Sequence, residues 1–263
     1  MAPSLLPRLR AASYSEFVAL IEQENAPPGG IDTIDEWVEH GVINSSAVVL
    51  DLACSTGFSG REVSRRTRCC TVTGLDLVPI ALTTATRMSR RSSAERPKYV
   101  CGDAASLPFG GQQFSHVLAG SCFGFIAERQ SALREVKRVL RRGGSLCVAS
   151  FYYCDEPPAA LLDEVETAIG YRPDRSRDLE YWLRFFGSEF TLSYLRPARL
   201  AVMADAEVEP WVASLVRCSE IAREDNEIAE VVHERLLQIQ RCLNRHRLYQ
   251  GAATMVWQLS GDG

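Results

Sequence analysis

The residues best suited to hold a nucleotide lie in the run Val48-Val49-Leu50-Asp51-Leu52-Ala53-Cys54-Ser55-Thr56-Gly57-Phe58, with a second acid, Asp76, nineteen residues after Gly57. An apolar, β-branched run ending in an acid, then small residues, then a helical stretch, describes a buried parallel strand turning into a helix N-terminus. Asp76 stands at the tip of the next apolar run, Thr71 to Leu75, where it can accept hydrogen bonds from two ribose hydroxyls. Any tight strand-to-helix turn needs small residues, so the spacing to the second acid carries more weight than the loop itself. A third acid, Asp103 in Tyr99-Val100-Cys101-Gly102-Asp103-Ala104, marks a third strand end.

The loop Ala53 to Gly57, Asp76 and Gly102-Asp103-Ala104 together resemble the class I S-adenosylmethionine-dependent methyltransferases. The order continues through Phe114-Ser115-His116-Val117-Leu118 and Val139-Leu140-Arg141-Arg142-Gly143-Gly144. The resemblance covers roughly residues 45 to 151 and a final strand near 252 to 259. It implies an α/β, Rossmann-like methyltransferase fold: a mostly parallel seven-stranded sheet with helices on both faces and a helical cap. It also implies S-adenosyl-L-methionine as cofactor and a small-molecule acceptor. By the same resemblance, backbone N–H groups around Ala53, Cys54, Ser55 and Gly57 meet the methionine end. Asp51 fixes the loop and reaches the amino group, and Asp76, with Leu77 beside it, takes the ribose. Asp103 and Ala104 take the adenine, while Ala119 and Ser121 line the sulfonium. The chain departs from the family in having Ala53 and Ser55 where glycines are usual, Ser115 where an acid often stands, and Arg142 before Gly143-Gly144 in place of proline.

Those residues must be positioned by three consecutive parts: an N-terminal helical lid (1–44), a cofactor-binding core (45–151) and acceptor-binding insertions carrying the last strands (152–263), in one domain overall. In the lid, Ser13-Tyr14-Ser15-Glu16 reads as a capping box opening a helix to about Glu24, and Thr33-Ile34-Asp35-Glu36 opens a second that ends at Gly41. Asn25 to Gly30, with two prolines and two glycines, must be a loop. In the core, strands are expected near 47–52, 71–75, 98–101, 114–119 and 145–151, with helices near 58–67, 79–92 and 128–141. In the last part an amphipathic segment runs from Ala159 to Ile169 and a strand from Phe190 to Leu195. Apolar positions from Val212 to Leu243 then recur at helical spacing over two helices meeting near Asn226. Ala252 to Leu259 should return antiparallel to the sheet edge, as in the resembling family.

Composition excludes several classes. With 263 residues, 46% of them hydrophobic, the chain can bury a sizeable core, and a net charge of -4 argues against nucleic acid as a partner. The Arg-rich stretches Arg61 to Arg68 and Arg87 to Arg96 read as solvated helix faces. No apolar run approaches the roughly 18 residues of a membrane span, and the N-terminus lacks the apolar core of a signal peptide, so a cytoplasmic location is expected. Nine cysteines without a C-x-x-C pair fit free thiols in a reducing compartment, and Cys69-Cys70 are adjacent, a geometry that rarely forms a bridge. No histidine has metal-ligand spacing to another, so no metal is expected, and His116, inside a strand, reads as a hydrogen-bonded core histidine.

Several side chains have two readings. Cys54 is either a nucleophile or a small packing residue. Tyr14 either touches the methionine portion or packs at the edge of the core. Trp182, Phe185 and Phe186 either stack on an acceptor or belong to the interior, and Tyr152 lies after the fifth strand with Tyr153, Asp155 and Glu156 as candidate bases. The expected reaction is in-line methyl transfer to a small molecule, for which no catalytic residue can be assigned. A lyase or cyclase using the same cofactor and a non-catalytic cofactor-binding protein remain alternatives. A nicotinamide enzyme fits less well, because its loop keeps a second glycine against a pyrophosphate and the third acid would have no task. The oligomeric state is not legible.

Overall fold

The computed structural model describes residues 5–68, 71–91 and 97–259; Cys69 and Cys70 lie outside the described residues, as does the end of the second Arg-rich stretch. In chain order the elements are α1 (Leu5–Ala11), α2 (Tyr14–Leu20), α3 (Ile31–His40), β1 (Val48–Leu52), α4 (Phe58–Thr67), β2 (Thr71–Asp76), α5 (Pro79–Ser89), β3 (Lys98–Cys101) and β4 (Phe114–Gly120). After a 3-10 turn at Cys122–Gly124 come α6 (Arg129–Val139), β5 (Leu140–Tyr153), α7 (Ala159–Ile169), α8 (Leu179–Gly187) and β6 (Thr191–Arg199). The chain ends with α9 (Asp205–Cys218), α10 (Glu220–Glu224), α11 (Asn226–His246), a 3-10 turn at Arg247–Tyr249 and β7 (Gln250–Gln258).

The seven strands form one sheet in the order β3-β2-β1-β4-β5-β7-β6. β1, β2, β3, β4 and β5 pair in parallel, and β7 runs antiparallel to both of its neighbours. The expected fold class is therefore observed, with one correction. β7 does not close the sheet edge but is inserted between β5 and β6, and β6 is the edge strand. The exposed ends of β6 and its residues Arg196, Pro197 and Arg199 suit that place.

Alternation along the central strands supplies both faces. Leu50, Val117, Ala119, Leu146, Val148, Met255 and Trp257 join one buried cluster, which α6 and α8 cover with Leu133, Val136, Trp182 and Phe186. The intervening residues Val49, Leu118, Cys147 and Val256 join the other, under α3 and α4 with Ile34, Trp37 and Val63. A third cluster lies apart from the sheet. There Leu9, Phe17 and Leu20 of the first two helices pack against Val208, Val212, Val232, Leu236 and Ile239 of α9 and α11, so the cap is built from both ends of the chain. Arg235 ties the two ends by donating to Leu9 O (2.5 Å) and Ala12 O (2.6 Å) while lying 4.3 Å above the Phe17 ring.

Element boundaries move for identifiable reasons. The Ser13–Glu16 capping box is present, but α2 ends at Leu20 rather than near Glu24, because Glu22 turns into the left-handed region at φ 55°. α3 opens at Ile31 behind Gly30 rather than at Thr33; the Thr33 hydroxyl donates to Pro28 O (2.5 Å) and lies 3.3 Å from Thr254 Oγ1. β5 starts at Leu140 instead of 145, since Leu140 already pairs with Phe114 before a register shift, and Gly143 takes a positive φ of 71°. The long helical stretch breaks twice, at Ser219 and at Asp225, where the Asp225 carboxylate caps α11 by accepting from Glu227 N (2.8 Å) and Ile228 N (3.2 Å).

Candidate cofactor and acceptor site

The carboxyl ends of β1, β2 and β3 lie side by side: Asp51 pairs with Gly74, Leu52 with Leu75, and Asp76 with Cys101. Beyond β1 the chain makes a turn in which Ala53 (φ 51°), Ser55 (φ 48°) and Gly57 (φ 77°) are all left-handed. The backbone thus holds a glycine-type conformation although two of its three left-handed residues carry a Cβ, a strain of the kind found around ligand sites. Gly57 is also required by packing, because a Cβ there would run into the Tyr99 ring.

Asp76 holds this turn. Its Oδ2 accepts from Ser55 N (2.8 Å) and its Oδ1 from Val78 N (2.9 Å). An ionised carboxylate has about four acceptor positions, so capacity remains for ligand hydroxyls. Asp51 accepts from Gly60 N (2.8 Å) in the first turn of α4. Burial pushes Asp51 up to about 7, against the Gly60 hydrogen bond and the Arg61 charge, and burial likewise raises Asp76. Two partly desolvated carboxylates at one strand-end crevice are a setting for a cationic ligand.

Residues around them have separable roles. Cys54 is buried, and burial together with Asp51 and Asp76 drives its thiol well above the ordinary range, so it is a packing residue and not a nucleophile. Ser55 Oγ is buried with no hydrogen-bond partner among the described residues. Thr56, which the motif reading gave no role, ties down the segment after α2: its hydroxyl donates to Gln23 O (3.0 Å) and accepts from Asn25 N (3.3 Å). Arg61 adds an ion pair to Glu24 at 2.5 Å. Asp103 is exposed and accepts from Ala105 N (2.8 Å), Ala104 is buried beside it, and Leu77 stands 67% exposed next to Asp76. The side chain of Ala119 belongs to the core. Ser121, at φ 66°, is bound to β5 through N–H and Oγ contacts with Ala149 O at 2.7 and 3.2 Å.

The expected acceptor residues divide. Trp182 and Phe186 are 2% and 0% exposed, and Trp182 Nε1 donates to Phe151 O (2.8 Å), so both are interior residues of an aromatic cluster with Phe123, Phe185 and Trp257. Tyr14 packs in the third cluster, between the two ends of the chain, instead of against the turn after β1. Tyr152 lies across Gly251 of β7, where a Cβ would strike its ring. Asp155 pairs with Arg199 and Glu156 with Arg175.

Sequence reading offered Tyr153, at the end of β5, as one of several candidate bases and gave it no partner. The buried Tyr153 hydroxyl and His246 Nε2 share a 2.7 Å hydrogen bond, and burial lowers His246 to about 4, leaving a neutral imidazole. Arg177 Nη1 donates to Gly124 O (2.7 Å) and to the Tyr171 hydroxyl (2.7 Å). Tyr153 and His246 are 93 residues apart, which no local pattern reveals. His116 is a core histidine, its ring nitrogens 2.9 Å from Ser115 Oγ and 2.8 Å from Gly41 O. Among the described residues, no group of three or more His, Cys, Asp or Glu could hold a metal ion, and no helix is long and apolar enough to cross a membrane.

Comparison with known proteins adds an independent line. A family model described as a methyltransferase domain matches residues 50–148. A malonyl-[acyl-carrier protein] O-methyltransferase of Halorhodospira halophila (strain DSM 244 / SL1) is 34% identical over 142 residues, 54% of this chain and 45% of that protein. A demethylmenaquinone methyltransferase of Mycobacterium tuberculosis (strain ATCC 25618 / H37Rv) is 36% identical over 103 residues, 39% of this chain and 40% of that protein. The match thus spans less than half the length of these curated relatives. The crystal structure of MccD protein is 36% identical, with a TM-score of 0.77 over 90% of this chain and 100% of that one. Matched domain, strand order and acids at adjacent strand ends converge: the chain belongs to the class I S-adenosylmethionine-dependent methyltransferase family.

Proposed function

We propose that this protein transfers a methyl group from S-adenosylmethionine to a small-molecule acceptor by in-line displacement. The observation that carries the reading is the pair Asp51 and Asp76, two carboxylates raised by burial at adjacent strand ends, of which Asp76 braces the left-handed turn and Asp51 the first turn of α4. The residues suit the cofactor: desolvated carboxylates favour a net cation, Asp76 keeps acceptor capacity for a ribose diol, and Ser55 Oγ is a buried polar atom in need of a partner.

In this reading Asp76, with Leu77 beside it, holds the ribose, and Asp103 and Ala104 hold the adenine. The N–H groups of the turn from Ala53 through Cys54 and Ser55 to Gly57 hold the methionine end with Asp51, and Ala119 and Ser121 flank the reacting centre. When bound, the cofactor supplies an electrophilic methyl group and a neutral leaving group. The protein then contributes mainly alignment and exclusion of water, and alignment can reach effective molarities of about 10⁵–10⁸ M. Residues 1–44 act as the lid, 45–151 as the cofactor-binding core and 152–263 as the acceptor-binding part. Pro27 supports the lid assignment, because it lies against Gly120 at the tip of β4, where a Cβ would come within 3.3 Å of it. Tyr152 borders the acceptor side, and burial, which raises the Tyr153 phenol and lowers His246, keeps that hydrogen-bonded pair neutral. Free thiols among the described cysteines suit work in the cytoplasm, and the net charge of -4 suits a small molecule better than a nucleic acid.

The test is product analysis by mass spectrometry after incubating purified protein with cofactor labelled in the methyl group and a panel of acceptors. S-adenosylhomocysteine together with a labelled acceptor supports methyl transfer. Methylthioadenosine in its place means that a different carbon–sulfur bond breaks, and the reaction named here is then wrong.

A further inference from the structure

Two arginines beside the acceptor side are incompletely satisfied. Arg177, in the loop between α7 and α8, has a side chain only 10% exposed; its Nη1 is bound to Gly124 O and the Tyr171 hydroxyl, both at 2.7 Å. Its Nε is buried with no hydrogen-bond partner among the described residues, and Asp174 Oδ2 stands 3.5 Å away. Arg129, the first residue of α6, has a buried Nε in the same condition, and its Nη1 reaches the Tyr181 hydroxyl only at 3.5 Å. A buried donor of a charged group left without a partner bears the full desolvation of that group, so two of them in one neighbourhood call for an explanation.

Their surroundings point to an anion. Asp174 is the acid facing both: against its partial burial, hydrogen bonds from Ser176 and then the charges of Arg177 and Arg129 hold its carboxyl below the ordinary range. Two guanidinium groups against one carboxylate leave a positive excess, and α6 adds the positive end of its dipole with no side chain capping it. The place is also right. Gly124 follows β4, and Arg177 O accepts from Tyr153 N (3.0 Å) at the end of β5. Cys122, two residues before Gly124, senses the charges of both Asp51 and Asp76.

We propose that Arg177 and Arg129 together hold an anionic group of the acceptor, a phosphate or a carboxylate, next to the transfer site. The inference rests on the transferase reading above and narrows its substrate class. Planar guanidinium groups with spare N–H donors match both oxyanions in paired hydrogen bonds, and Tyr171, tied to Arg177, fixes one fork.

The test is calorimetric titration of the full chain with inorganic phosphate and, separately, with malonate, each with and without saturating S-adenosylhomocysteine. At least one anion is expected to bind, and Arg129→Gln and Arg177→Lys are each expected to weaken it tenfold or more while leaving adenosylhomocysteine affinity within twofold. Arg129→Gln is the decisive variant, because among the described residues Arg129 makes one long hydrogen bond besides its charge interaction with Asp174, and its loss should not disturb folding. Preference for phosphate identifies a phosphorylated acceptor, and preference for malonate identifies a carboxylic acid. If neither anion binds the wild-type chain, or if both variants bind as wild type does, the proposal is overturned. Failure of adenosylhomocysteine to bind would count against the transferase reading, whereas the anion titration without it still decides the arginine site.

Discussion

The carboxylate of Asp76 receives the backbone N–H of Ser55 at 2.8 Å, so the acid at the tip of β2 is also the brace that holds the turn beyond β1. In the function proposed above, this one side chain serves both the methionine end and the nucleoside end of the cofactor. Asp76→Asn removes the charge and leaves one oxygen to serve both Ser55 N and Val78 N. Hydrogen bonds to charged groups contribute about 1.5–3 kcal/mol, so cofactor affinity should fall roughly 10- to 100-fold with some loss of thermal stability. Equal affinities in wild type and variant, measured by calorimetry, would remove Asp76 from the site.

The left-handed turn makes a second prediction. Ser55 at φ 48° and Ala53 at φ 51° carry strain that glycine does not, about 1–2 kcal/mol each, partly offset by the extra freedom glycine has when unfolded. Ser55→Gly and Ala53→Gly should then be neutral or mildly stabilising, whereas Ser55→Val should lose about 1–3 kcal/mol. Thermal melts that rank valine level with glycine would contradict the strained conformation.

Stability against pH should contain two opposed slopes. Asp51, raised to about 7 in the folded chain from an ordinary 3.8, is protonated there while its unfolded counterpart is ionised; its contribution is present at acid pH and lost as pH rises through about 7. His246, lowered to about 4 by burial, stays neutral while its unfolded counterpart takes a proton, so its contribution is lost as pH falls from the ordinary 6.5 through about 4. The two largely cancel over that shared window, in which each group alone would change stability by about 1.4 kcal/mol per pH unit. Asp51→Asn should uncover the histidine slope, giving denaturant midpoints that climb with pH up to about 6.5. A flat profile in that variant would disprove the assignment.

The cap should detach before the sheet does. Arg235 donates two hydrogen bonds from α11 to the last turn of α1 and the residue after it, and it covers Phe17, so Arg235→Ala is expected to cost roughly 2–4 kcal/mol through two lost charge-assisted bonds and lost packing. Limited proteolysis should then cut within the first 25 residues while the segment 45–151 survives. Simultaneous loss of both would mean that the cap and the sheet unfold as one unit.

Much of this architecture was legible because local pattern and tertiary role coincide. α4 is observed over 58–67 and β3 over 98–101, as expected, since apolar periodicity and burial agree there. Where a long-range partner decides, the sequence was silent. The Thr33 hydroxyl, read as part of a capping box, is engaged by Pro28 and approaches Thr254 across 221 positions. β7, not β6, pairs with β5, and periodicity carries no trace of that choice. Asp51, Asp76 and Asp103 stood out because they follow apolar runs in fixed order, which places them at or next to strand ends. Arg177 and the pairing of Tyr153 with His246 were not singled out, because their meaning lies in neighbours distant along the chain. Trp182 and Phe186 illustrate the converse, aromatic spacing that suits a ligand wall equally well but serves the interior.

The most direct test of the account is isothermal titration of the full wild-type chain with S-adenosylmethionine and S-adenosylhomocysteine near pH 7, in two buffers of different ionisation enthalpy. Saturable one-to-one binding is predicted for both, with proton release on binding the sulfonium, because a cation beside Asp51 and Asp76 lowers carboxyl groups that burial holds up. No heat with either nucleoside, at protein concentrations where the chain is folded, would contradict the cofactor site itself.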